Sequence, residues 1–210
     1  MVLLSGKTAP RAASTGYRIV TPPPPFLDQC ARFQVLLAGL RCSGPGDAPL
    51  ATEPALDQAV ALLLAVREAQ RTLFLIGNGG SAAAVAHGAV DFLNKGRLRA
   101  LTLDTPPLLT CMANDFGYEQ GFARPLETLA RPGDLLVAMS SSGRSPNILN
   151  GVAAMQRVGG GVLTLSGFDA DNPLRRLGDI NFWLDHTEYG LVEVGHQFIL
   201  HHLSDRVACA

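Results

Sequence analysis

The chain has 210 residues, enough for one α/β domain with an attached helical part that buries a core without staples. Its apolar content of 47% and formal charge of −1 are those of a soluble globular protein, with no electrostatic reason to bind nucleic acid or an anionic membrane; an anionic ligand needs a local site. Cys30, Cys42, Cys111 and Cys209 have neither a metal-ligand spacing nor the density of a disulfide framework, so a reducing, cytoplasmic setting is expected.

Residues 1–25 form one expected unit, a disordered leader ending in Pro22 to Pro25, where consecutive prolines enforce an extended, polyproline-like spacer. No basic-then-apolar export signal and no apolar run of membrane-spanning length is expected anywhere. Residues 26–210 form the second unit, a single domain. Apolar residues Phe26, Cys30, Phe33, Leu36, Leu37 and Leu40 recur at helical spacing, and Gly44-Pro45-Gly46 ends that segment. A second helix is expected from Glu53 to Gln70, with Thr52 as its N-cap.

Short apolar runs then follow at residues 72–76, 101–103, 135–138, 162–165 and 180–184, most of them followed by a turn and a helical pattern. Near-continuous apolar strands alternating with helices indicate a parallel sheet covered on both faces. Ligands of such sheets sit beyond the carboxyl ends of the strands. Two glycine- and serine-bearing turns fall there: Gly77-Asn78-Gly79-Gly80-Ser81 and Ser140-Ser141-Ser142-Gly143-Arg144-Ser145. The second holds four serine hydroxyls in six residues ahead of a helix, where unpaired backbone N–H groups and the positive helix end favour an anion. A capped, solvated loop is the plain alternative for either turn alone. Gly77-x-Gly79-x-x-Ala82 with Asp104 also approaches a dinucleotide fingerprint, but a dinucleotide site has no use for a second hydroxyl-rich cradle. Two donor-bearing turns suit a compact phosphorylated ligand held between them.

The motifs Leu75-Ile76-Gly77-Asn78-Gly79-Gly80-Ser81, Ala113-Asn114-Asp115-Phe116-Gly117-Tyr118 and Ser140 to Ser145, in this order, resemble the SIS (sugar isomerase) domain, and more narrowly the phosphoheptose isomerases. The resemblance implies a flavodoxin-like fold, a five-stranded parallel sheet flanked by helices, with N-terminal helices that build a homotetramer whose active sites lie between subunits. It implies conversion of sedoheptulose 7-phosphate to an aldoheptose 7-phosphate through an enediol(ate), with no nucleotide cofactor. Carried over by residue, Ser140, Ser141, Ser142 and Ser145 hold the phosphate. Asn78, Gly79, Gly80 and Ser81 line the sugar, and Asn114 and Asp115 contact its hydroxyls.

His87 and Asp91 stand at i and i+4 on the helix after Ser81. Glu193, His196, Gln197 and His201 fall on one side of a helix over 191–207. The resemblance places zinc at His87, Asp91, Glu193 and His201, with Glu193 also beside the substrate, and makes Asp91 and His201 the proton-transfer pair. Two imidazoles and two carboxylates are a credible divalent-metal set. The sequence departs from the family pattern at Asp91, where Glu is usual, at Glu193, where Gln is usual, and at Ala82, where a histidine is often found. Those departures favour a second reading, a non-catalytic SIS-domain protein that binds a sugar phosphate or another protein. Lys95, Arg97 and Arg99 read as a solvated basic turn.

Overall fold

The computed structural model describes residues 22–210, so the expected leader lies outside the described residues as far as residue 21. Pro25 is extended at φ −50° and ψ 147°, and the first helix begins directly after it. That helix, α1 (Phe26–Ala38), buries only Leu36, while Phe26, Leu27 and Val35 stay 79%, 77% and 72% exposed. The Gly44-Pro45-Gly46 group does more than end a helix. It turns a short hairpin of β1 (Arg41–Ser43) and β2 (Pro49–Leu50), and β1 adds antiparallel to the sheet edge through Arg41↔Trp183.

Helix α2 (Thr52–Glu68) starts one residue earlier than expected. Thr52 lies inside it and is not its N-cap; its hydroxyl donates to the Leu40 carbonyl at 3.4 Å, and Ala51 takes the cap position. The parallel strands are β3 (Thr72–Ile76), β4 (Arg99–Thr102), β5 (Leu135–Ser140), β6 (Gly161–Gly167) and β7 (Ile180–Leu184). The sheet order is β2-β1-β7-β6-β5-β3-β4, with β4 to β7 parallel. The five-stranded flavodoxin-like core is therefore present, extended to seven strands by the antiparallel hairpin. Strands that short carry no periodicity of their own and acquire their register only from β7.

Side chains alternate across the sheet and both sides are apolar. Leu73 and Leu75 pack on one side, under α1, α2, α3 (Gly80–Asn94) and α7 (Tyr189–Cys209). Phe74 and Ile76 pack on the other, under α5 (Ala123–Leu129) and α6 (Pro146–Val158). Two-sided burial is why these strands read as unbroken apolar runs. Edge strand β4 departs from this: Ala100 is buried and Leu101 is 51% exposed. Helix α4 (Pro106–Phe116) buries no residue.

Asp134 fixes the start of the central strands. One carboxylate oxygen accepts from Thr72 N at 2.8 Å and the other from Arg131 N at 2.7 Å. From there β3 runs into α3 on one face of the sheet and β5 into α6 on the opposite face. The two turns beyond their carboxyl ends diverge and leave a crevice, the switch point at which doubly wound sheets bind ligands.

Candidate functional site

Both turns open helices that lack a side-chain cap: Gly79 precedes α3 and Ser145 precedes α6. Two positive helix ends thus face the crevice, with first-turn N–H groups left for a ligand. Between them is a small cavity of about 130 Å³ lined by Asn78, Ser81, Ser140, Ser141, Ser142, Ser145, Tyr189 and Glu193. Ser140 and Ser145 hydroxyls lie 3.4 Å apart, and the buried Ser141 hydroxyl has no protein partner. A buried hydroxyl without a partner is costly unless a ligand or water supplies one. All four serines of the turn, with Asn78 and Ser81, therefore share one enclosure of phosphate-like polarity.

The shape of the turn depends on Gly143. Its φ is +61°, and a Cβ there would lie 2.0 Å from Asn172 Oδ1. Asn172 is buried and cannot retreat, since its amide donates to the Gly167 carbonyl at 3.0 Å and its oxygen accepts from Arg175 N at 3.0 Å. Arg144 points outward to Asp171 and Asp169, 2.6 and 3.6 Å away.

A second cavity, of about 420 Å³, is lined by Gly80, Ala83, Ala84, His87, Glu193, Val194, Gln197 and His201. Glu193 lines both cavities. Its carboxylate lies over Gly80, where a Cβ would come within 2.2 Å of Oε2. Burial, with no cation beside it, pushes the Glu193 carboxyl above the usual carboxylate range.

Deeper along α3 and α7, His87, Asp91 and His201 converge with ligand atoms within 4.8 Å of one another. His201 Nδ1 is 2.8 Å and His87 Nε2 3.6 Å from Asp91 Oδ2, and the two rings meet edge to face at 4.9 Å. Despite the short distance to His201, Asp91 Oδ2 has no aligned hydrogen-bond donor. The donor set of two imidazoles and one carboxylate is compatible with a divalent metal. Glu193 is not part of that convergence. Asp91 Oδ1 lies 3.4 Å from Lys95 Nζ, which also bonds Asp205 at 3.0 Å. Lys95 is exposed, as a solvated basic turn requires, and in addition bridges two carboxylates; its i,i+4 spacing from Asp91 was the available signal for the first of them.

His196 does not share the side of α7 that carries Glu193, Gln197 and His201. It turns into the core, fully buried, with Nε2 3.0 Å from the Ser166 carbonyl. At 100° per residue, positions 193, 197 and 201 span one stripe and 196 falls on the sheet side of it. Burial lowers its pKa to about 4.

Asn114 and Asp115 lie in the last turn of α4, exposed and bonded to one another at 2.9 Å, outside both cavity linings. Gly79 is likewise outside the linings, and Gly80 is in the larger one. The motif around Asn114 reaches the crevice through Tyr118 instead, whose hydroxyl donates to Asn78 Oδ1 at 2.9 Å. Asn147, in the first turn of α6, exchanges two amide hydrogen bonds with Asn78, at 2.9 and 2.8 Å. Asn147 and Tyr189 carried no sequence signal of a role, because what brings them to the site is strand order and the start of α7.

Among known proteins, the SIS domain family model matches residues 50–167. The phosphoheptose isomerase of Thiobacillus denitrificans is 34% identical over 170 residues, 77% of this chain and 86% of that protein. That of Helicobacter pylori is 33% identical over 156 residues, covering 71% and 81%. The solved phosphoheptose isomerase from Neisseria gonorrhoeae superposes with a TM-score of 0.74 at 25% identity, covering 88% of this chain and 95% of that one.

Proposed function

The chain belongs to the SIS domain family, among the phosphoheptose isomerases, and from that membership we propose that it interconverts sedoheptulose 7-phosphate and an aldoheptose 7-phosphate. The observation that carries the reading is the pair of cavities that share Glu193 in their linings. A small serine-lined cavity and a larger one walled by His87 and His201 have Glu193 as a common wall, which supports a sugar phosphate held by its phosphate at the first with its carbonyl end toward the second.

In that reading Ser140, Ser141, Ser142 and Ser145 hold the phosphate, and the grip far from the reacting carbons is used to orient the chain of the sugar. Asn78 and Ser81 face the sugar, as do Gly79 and Gly80 through their backbone; Asn114 and Asp115 meet its hydroxyls only if another subunit presents them. Asp91 takes the proton from the carbon beside the carbonyl. His201 serves the neighbouring carbon, giving an enediol(ate) between the two transfers. His87, Asp91 and His201 would hold a divalent ion, zinc by family resemblance, with Glu193, in the wall of the same cavity as both histidines, as a further oxygen. Such an ion, when bound, polarises the sugar oxygens. No nucleotide cofactor is required, because the hydrogen moves as a proton.

The exposed apolar face of α1 and the exposed Val90, Val194 and Phe198 beside the histidine chamber support a homotetramer with active sites between subunits. The cytoplasmic setting rests on four sparse cysteines that are all free thiols; no helix of the described residues is long and apolar enough to cross a membrane.

The test is isomerisation in deuterium oxide. Sedoheptulose 7-phosphate should acquire deuterium at C1 or C2 with the parent protein and not with Asp91→Asn or His201→Ala. A parent protein that binds the sugar phosphate without exchange would establish the non-catalytic reading instead. Unimpaired exchange in both variants would remove Asp91 and His201 from the chemistry.

A further inference from the structure

The three motifs that stand apart in the sequence meet at a single side chain, the amide of Asn78. Asn147 belongs to the serine motif's helix, Tyr118 to the motif that begins at Ala113, and Asn78 to the glycine motif. The Asn147 side chain is 2% exposed, and its reciprocal pair with Asn78 spans the divide between the β3 and β5 turns.

The orientation of both amides follows from one donor. Ile148 N–H, which can only donate, is shared between the Ser145 carbonyl and Asn147 Oδ1, each 3.1 Å away, and an amide NH2 in place of that Oδ1 would face it donor to donor. The oxygen of Asn147 therefore also receives Asn78 Nδ2, and Asn147 Nδ2 is left to donate to Asn78 Oδ1. With Tyr118 OH as a second donor, both lone pairs of Asn78 Oδ1 are occupied. Toward a ligand Asn78 has one remaining N–H and no free acceptor. It can present a proton to a sugar oxygen and cannot accept one from a hydroxyl.

We propose that Asn147 and Tyr118 are positioning residues which, through the Asn78 amide, hold the sugar-facing turn after β3 in fixed register with the phosphate-gripping turn after β5. This rests on the isomerase reading. The phosphate is fixed at one turn and the reacting carbons pass the other, so slippage between the turns displaces the carbons from Asp91 and His201 while leaving the phosphate seated. A misplacement of about 1 Å costs on the order of 100-fold in rate.

Steady-state turnover of sedoheptulose 7-phosphate and calorimetric binding of inorganic phosphate separate the two contributions. Asn147→Ala is expected to lower kcat about 10- to 100-fold. Tyr118→Phe removes one hydrogen bond and is expected to lower it about 3- to 10-fold. Inorganic phosphate affinity should stay within about twofold in both. Asn147→Asp keeps size and the acceptor for Ile148 and Asn78 while deleting the donor; it should reproduce the kcat loss in a chain that folds even if Asn147→Ala does not. Turnover of Asn147→Asp and Tyr118→Phe within about twofold of the parent overturns the proposal, as does phosphate affinity falling in step with kcat in Asn147→Ala or Tyr118→Phe. If the parent protein fails to isomerise the sugar, the isomerase reading falls separately. The hub is then judged by binding: the affinity for sedoheptulose 7-phosphate relative to inorganic phosphate must drop about 10-fold in Asn147→Asp, and an unchanged ratio rejects it.

Discussion

The serine cradle and the histidine corner adjoin at Glu193 yet are built in opposite ways. The cradle is made by backbone: two strand ends, two helix starts, a glycine at positive φ locked against buried Asn172, and hydroxyls enclosed within one chain. The corner is made by side chains on the outer faces of α3 and α7. His87 and His201 are 56% and 39% exposed there, with bare Val90, Val194 and Phe198 around them. Backbone-built sites are complete when the chain folds, whereas side chains on an open helical face need a cover to exclude water before proton transfer is efficient. The phosphate grip should therefore survive as a property of the single subunit, and the chemistry should depend on assembly.

Substitution in the corner gives the largest expected effect. His201→Ala should lower isomerisation by about 10²- to 10⁴-fold, the usual worth of a general acid or base, with inorganic phosphate still bound. Loss of phosphate binding in that variant, measured by calorimetry, would merge the two regions that the structure separates.

The next effect is on stability as pH falls. His196 donates Nε2–H to the Ser166 carbonyl, so this histidine ties α7 to β6, the strand that pairs with β5 through Ser166↔Ser140 beside the cradle. Its folded pKa of about 4 lies below the ordinary value of 6.5, so the unfolded chain takes up the proton first. The stability tied to neutral His196 is complete above pH 6.5 and is lost as pH falls towards 4, by about 3 kcal/mol. Urea unfolding between those pH values should show the slope in the parent protein and a flatter one in His196→Gln.

A smaller effect should follow from breaking the cradle by its backbone. Gly143→Ala forces a side chain into positive φ and against Asn172, at a cost of about 1–3 kcal/mol. Phosphate affinity should fall along with the melting temperature. By contrast the three atoms nearest a Cβ at Gly80 all belong to the carboxylate of Glu193, the movable end of a side chain, so Gly80→Ala should leave stability nearly intact. The smallest effect on the subunit itself is expected at Val35→Glu, on the exposed face of α1: within about 0.5 kcal/mol of the parent in stability. Sedimentation should nevertheless show a smaller assembly, and isomerisation should drop with it while phosphate binding persists. An unchanged assembly would take α1 out of the subunit contact.

Much of the cradle was legible in sequence because its signals are local. A strand-length apolar run, a cluster of Ser and Gly, and a proline at the first helical position act within a few residues of one another, and the structure realises them between Leu135 and Val158. The corner was legible in part: the i,i+4 pair His87 and Asp91 is local, and so was the unread pair Asp91 and Lys95. His196 was assigned to the wrong side of α7 because a helical stripe read without its neighbours has no marked inward edge. Thr52 has the residue type and position of a cap, yet its hydroxyl crosses to Leu40, a contact no short window around residue 52 contains.

By itself the sequence determined the parallel sheet, the two donor-rich turns at its strand ends and the family to which the chain belongs, since each follows from short-range pattern and motif order. Only the tertiary structure decided that Asn78 and Asn147, sixty-nine residues apart, form one amide pair, that His201 closes on Asp91, and that Glu193 stands between two cavities and outside the three-ligand cluster. Those contacts depend on strand order and on how α3 and α7 pack across one face. These are long-range choices made by burial of the whole core, which no local propensity encodes.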